Sequence, residues 1–167
     1  MRKKASPVVQ QPYPTLDGFD RHILSIVQEN NMVAHREISE RVCLSVPAVA
    51  RRLQRLRKLG VITADSSVLC PEYLGVPLTI VVTLSVENES LEDLDQIRRR
   101  FLDCPQVQQC YHVTGETDFV LIMCVRDIRE YERLTRTLLS EEGNVRRFRT
   151  LVVLQRVKAT LQVPIEQ

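Results

Sequence analysis

Only Cys43 and Leu44 separate the end of one amphipathic pattern from the start of the next. Ile38 and Val42 give the buried stripe of a short helix, and Val49, Leu53 and Leu56 recur at helical spacing just beyond. Ser45 is a residue type that caps helices, and Pro47 is tolerated in a first turn. Two helices joined this closely must turn sharply, which is the geometry of a helix-turn-helix. Between Arg41 and Lys58 there are six basic side chains and no acidic one, while the whole chain nets only +2, so the remainder is net acidic. Charge concentrated in this way marks a surface for a polyanion. Ala48, Arg51, Arg52 and Arg55 fall on the face of the second helix opposite its apolar stripe, and that face would meet a DNA major groove. A solvated helix face is the plain alternative reading of the arginines.

The 167 residues allow two small domains, and 44% hydrophobic content supports real cores. Cys43, Cys70, Cys104, Cys110 and Cys124 form no CxxC pair and are odd in number, so reduced thiols are expected, with neither a zinc site nor a disulfide framework. His22, His35 and His112 are scattered, and none shares a short spacing with a second strong ligand, so no metal and no cofactor is expected. No apolar run approaches the roughly 20 residues needed to span a bilayer. Residues 1–14, with Arg2, Lys3, Lys4 and little to bury, read as a disordered basic tail.

Leu16, Phe19, Ile23, Ile26 and Val27 predict a supporting first helix ending near Asn30. After the second helix of the motif, Gly60 stands at a C-terminal cap, and residues 61–63 and 68–70 flank Asp65, Ser66 and Ser67 as two short strands, a wing. This makes residues 15–70 a winged helix-turn-helix domain, followed by a linker at 71–77. From Leu78 the pattern changes. Leu78, Ile80, Val82, Leu84 and Val86 alternate as a strand, then Leu91, Leu94, Ile97 and Phe101 step as a helix. Strands at 107–114 and 119–125, a helix carrying Ile128, Tyr131, Leu134 and Leu138, and a long strand at 145–157 complete a βαββαβ order over 78–160, with a tail at 161–167. The class is α+β, and the second domain is a ferredoxin-like sheet with both helices on one face. The other face carries Val and Thr and is expected to be covered by a second copy of the chain.

Several short motifs appear in order: Leu16-Asp17-x-x-Asp20-x-x-Ile23-Leu24, Arg41-Val42-x-Leu44-Ser45, Arg52-Leu53-x-Arg55-Leu56, Gly60-Val61-Ile62, Gly115-x-x-Asp118 and Thr150-x-Val152-Val153-Leu154. Together they resemble the Lrp/AsnC family of feast/famine transcription regulators, over about residues 16–160. The resemblance implies a DNA face at Ser45, Pro47, Ala48, Arg51, Arg52 and Arg55, the same face that charge and periodicity indicate. It also implies a small effector, often an amino acid, bound against Gly115, Glu116, Thr117, Asp118 and Thr150. As a structural element, Gly115 to Asp118 needs no ligand, since any hairpin favours Gly and Asp. A homodimer assembling to octamers, double-stranded DNA as partner, no membrane association, and a cytoplasmic, nucleoid-associated location complete the implication.

Five positions depart from the usual family pattern. Cys43 stands where a glycine is usual, and a side chain in a left-handed turn costs about 1 kcal/mol or more. Ala34 replaces a Ser/Thr cap, Ala64-Asp65 stands where Gly-Tyr is common, and Arg57 replaces a glutamate. The expectation is a regulator and not an enzyme. Two rivals stay open: an enzyme resembling sirohaem decarboxylases, which would lack a basic recognition helix, and an amino-acid sensor without DNA contact, which conflicts with Arg51, Arg52 and Arg55.

Overall fold

The computed structural model describes residues 13–139 and 144–166, so the basic tail expected over 1–14 lies, up to residue 12, outside the described residues. The chain forms two compact units. The first runs to Ser67 and takes in the chain again from Thr160, and the second is Val68–Ala159.

In the first unit, α1 (Gly18–Glu29), α2 (His35–Val42) and α3 (Val46–Lys58) follow one another. Ile23, Ile26, Ile38, Val42, Val49 and Leu53 close a single core, as the three stripes require. On α1, however, the stripe admits Asp20, which is fully buried, while Phe19 is left 45% exposed. The α2–α3 turn is closed by Ser39. Its carbonyl accepts the Leu44 amide at 3.1 Å, and its hydroxyl donates to the Leu44 carbonyl at 2.5 Å. Cys43 sits in the left-handed region at φ 54° and ψ 41°, so the turn keeps the shape a glycine would give it. Neither Ala34 nor Ser45 caps its helix through a side chain. For Ser45 this corrects the expectation: it takes the cap backbone conformation, and its carbonyl accepts from Ala48 and Val49, but its hydroxyl makes no cap hydrogen bond.

The expected wing is absent among the described residues. Gly60 ends α3 with φ 72°, and the amides of Val61 and Ile62 return to the Leu56 carbonyl. Residues 63–70 then run without strand pairing. A lone two-stranded hairpin is marginal unless something covers it, and here Val68 is 97% exposed. Asp65, at the expected tip, is instead drawn to Arg57 on α3 by bonds of 2.9 and 3.2 Å.

The second unit contains β1 (Leu78–Val86), α4 (Leu91–Leu102), β2 (Val107–His112), β3 (Phe119–Val125), α5 (Ile128–Leu138) and β4 (Val145–Val152). The sheet order is β2-β3-β1-β4 with every neighbour antiparallel, the expected ferredoxin-like arrangement. Ile80, Val82, Leu84, Phe119, Leu121 and Met123 pack with Leu94, Ile97 and Phe101 of α4 and Tyr131 and Leu138 of α5, so both helices lie on one face. The alternate residues Val81, Thr83, Val120 and Ile122 are half-buried on the other face. Two strands are shorter than expected. β2 stops at His112, because Val113 donates to the Asp118 carbonyl in the turn. β4 stops at Val152: after the Val153 amide bonds Thr79, Arg156 folds onto the Thr79 hydroxyl at 3.0 Å and onto Glu72 at 3.5 Å. Within the plain linker expected at 71–77, residues 71–75 form turns, and the amides of Leu74 and Val76 return to the Pro71 carbonyl. Nor is the expected tail at 161–167 simply a tail, since residues 162 and 163 bond Gln28 of α1.

Candidate nucleic-acid interface and effector turn

α3 begins without a side-chain cap and without an acidic residue in its first turn, so no side chain of its own offsets the positive end of its dipole. Ser45 and Pro47 are exposed at this end, Ala48 half-buried and Arg51 exposed. The structure therefore brings these four together as expected. Two further outward residues were not assigned to this face from the sequence, Gln54 and Lys58, both exposed and lying one and two helical steps beyond Arg51 along the same stripe. Their signal was the 51, 54, 58 spacing itself.

Arg52 and Arg55 are placed differently. Arg52 lies at the edge of the stripe, its guanidinium 5.4 Å from the Phe19 ring centre and its Nη1 2.8 Å from both Asp17 and Asp20. Arg55 binds the other oxygen of Asp20. The Asp20 side chain is 1% exposed, and it also accepts from the Asp17 amide at 3.4 Å in a capping box. Asp17 is held below the ordinary carboxylate range by the Asp20 amide that donates to it and by Arg52, and Arg52 is held above its ordinary value by the same two carboxylates. Arg41 and Arg57 also face carboxylates, Glu37 at 4.0 Å and Asp65 at 2.9 Å. Thr15, Asp17, Asp20, Arg51, Arg52 and Arg55 line one shallow open recess.

In the second unit, Gly115 at φ 126° opens the turn between β2 and β3. Asp118 uses its carboxylate to accept the Val86 amide at 2.8 Å and its own amide to reach the Leu84 carbonyl at 2.9 Å. Thr117 donates to the same carbonyl at 2.6 Å, and the Glu116 carbonyl accepts from Ser85 and Arg147. The turn is thus sewn to the end of β1. Thr150 on β4 is opposite Val82, its hydroxyl paired with Tyr131 on α5 at 2.5 Å, and among the described residues no hydrogen bond joins its side chain to the turn. Burial raises the Tyr131 phenol above its ordinary value. Among the described residues no group of three or more His, Cys, Asp and Glu could hold a metal, and no helix is long and apolar enough to cross a membrane.

Two protein families match. Residues 16–57 match the AsnC-type helix-turn-helix domain and residues 79–163 the Lrp/AsnC ligand binding domain. The HTH-type transcriptional regulator y4tD of Sinorhizobium fredii is 41% identical over 95% of this chain and 94% of its own length. The leucine-responsive regulatory protein of Haemophilus influenzae is 30% identical over 96% of each chain. A Neisseria meningitidis transcriptional regulator solved as its L-Met complex superposes with a TM-score of 0.83 at 29% identity, covering 90% of this chain and 97% of that one.

Proposed function

Because this chain belongs to the Lrp/AsnC family and is an HTH-type transcription regulator with a ligand-binding domain, we propose that it meets DNA through the outward face of α3 and an amino acid at the Gly115–Asp118 turn. In this reading residues 15–70 bind DNA and 78–160 sense and assemble. The carrying observation is the absence of acid from α3 together with the exposed row of Arg51, Gln54 and Lys58. The uncapped, positive end of α3 at Ser45, Pro47 and Ala48 suits a phosphate, and the row suits base edges and backbone in a major groove. Arg55, 44% exposed, keeps donors to spare beyond its bond to Asp20.

The effector wall is Gly115, Glu116 and Thr117, with Asp118 holding the turn in shape and Thr150 set back on β4. The neighbour solved with L-Met supports an amino acid as ligand class. The half-buried apolar face around Val81, Val120 and Ile122 supports a homodimer, carried further to octamers, reading a pseudo-palindromic operator. The protein works without cofactor, metal or catalysis, in the cytoplasm with the nucleoid. Fragments of genomic DNA recovered on the protein, with and without an amino-acid panel and with sizing in parallel, test the reading. Recovery of a distinct fragment set that one amino acid shifts is expected, and recovery indistinguishable from background would overturn it.

A further inference from the structure

The six basic side chains between Arg41 and Lys58 divide into two kinds. Arg41, Arg52, Arg55 and Arg57 each face a carboxylate of the same unit. Among the described residues, Arg51 and Lys58 have no ion-pair partner, and Gln54 has no side-chain hydrogen bond. Asp20 makes the division physical. A carboxylate buried on α1 must be paired, and both its oxygens are taken by guanidiniums one helical turn apart on α3. Two anchors at 52 and 55 fix how far α3 is rotated about its axis and how far it slides along α1, which a single bond could not do. Asp17 and the Phe19 ring hold the Arg52 head from its other sides. Were Arg52 to leave for a DNA phosphate, the buried Asp20 would lose half of its compensation.

We propose, resting on the DNA-binding reading above, that Asp20 is a positioning residue that sets the rotation of the recognition helix through Arg52 and Arg55. Specificity then belongs to Arg51, Gln54 and Lys58. Arg52 is withheld from the DNA, although sequence alone puts it on the binding face. Residues 51, 54 and 58 form one stripe, so rotating α3 by a fraction of a turn would move all three off their base edges together.

The test is DNA titration over a salt series, using a duplex selected by the wild-type protein from a random-sequence pool and a scrambled duplex of equal length. Arg51→Ala or Lys58→Ala should lower the selected-to-scrambled affinity ratio and, because each removes a cation that faces the DNA, also reduce the slope of log affinity against log salt by about one. Arg52→Ala should leave the slope at the wild-type value while the selected-to-scrambled affinity ratio falls roughly tenfold or more, a change of about 1.4 kcal/mol. Asp20→Asn should lower the ratio too. Its slope should not fall and its affinity for scrambled DNA should rise, because two guanidiniums are released toward phosphate. If Arg52→Ala does not fold, Arg52→Lys serves: it keeps the charge on a shorter reach, so the ratio should fall and the slope hold. A slope reduced by about one in Arg52→Ala with an intact ratio would overturn the proposal. So would an Asp20→Asn protein altered only in its melting temperature. If the wild-type protein selects nothing over scrambled DNA, the DNA-binding reading itself fails, an outcome distinct from either.

Discussion

Gln28 on α1 and Val163 exchange two hydrogen bonds, the Gln28 amide nitrogen donating to the Val163 carbonyl at 3.1 Å and the Val163 amide donating to the Gln28 side-chain oxygen at 3.2 Å. The Gln162 side chain adds a third, to the Gln28 main-chain carbonyl at 3.2 Å. A polar side chain that presents one donor and one acceptor imitates a neighbouring strand, and the returning segment pairs with it. Gln28→Ala removes both reciprocal bonds. The helix-turn-helix unit should lose about 1 kcal/mol, less than two full hydrogen bonds because the site is wet. Amide exchange in the last turn of α1 and at 160–166 should quicken. Unchanged exchange at both would show that the segment is not held there.

The left-handed Cys43 gives a second prediction. A side chain at φ 54° carries a cost that glycine avoids. Cys43→Gly should therefore raise stability by about 1 kcal/mol, part of it offset by the freer unfolded chain. DNA affinity should be unchanged, since the turn already has the glycine shape. The denaturant midpoint measures this, and a lower midpoint would mean that Cys43 makes a contact worth more than the strain.

What the sequence made legible follows from periodicity. Ile23 and Ile26, Ile38 and Val42, and Val49, Leu53 and Leu56 announced the first core, because helical stripes are local. The alternation from Leu78 to Val86 announced β1 in the same way. In the sequence Asp20 stands out only as one position of a short motif, and its burial is invisible there because its partners lie 32 and 35 residues away. Charge counting placed Arg52 on the DNA face for that reason: it sees cations and does not see which carboxylate folds onto them. The wing failed on the opposite ground. Residues 61–70 carry strand-like residue types, but a strand is made by its neighbours, and none covers Val68. On β4 the apolar pattern continued past Val152, while the ladder ended where Arg156 turns back onto Thr79.

Glu130 makes the sheet domain sensitive to acid. The Arg126 amide donates to its carboxylate at 2.7 Å, the Arg126 side chain adds 3.2 Å, and Gln106 reaches its other oxygen at 3.4 Å. The Arg126 amide above all holds Glu130 below the ordinary carboxylate value. A depressed value means that the folded state favours the charged form. The stabilisation is then complete above the ordinary value, about pH 4.3, and is lost as pH falls through the lower folded value. Glu130→Gln should be clearly less stable than wild type at pH 7, and the gap should close toward pH 3. A gap independent of pH would assign the effect to shape rather than to charge.

Asp118 distinguishes a turn that is held from a ligand that is held. Its carboxylate is occupied by the Val86 amide at 2.8 Å, where β1 and β4 slip register between Ser85 and Val86. Asp118→Ala strands that amide and should cost the sheet domain roughly 1–2 kcal/mol. Asp118→Asn keeps an oxygen acceptor in the same place and should recover most of the loss. If the carboxylate only shapes the turn, Asp118→Asn should also keep its response to whichever amino acid shifts wild-type DNA binding. If its charge instead holds the ammonium of that amino acid, Asp118→Asn should stay folded and lose the response. Chemical denaturation and DNA titration on the same two variants separate these outcomes, and the bond to Val86 favours the first.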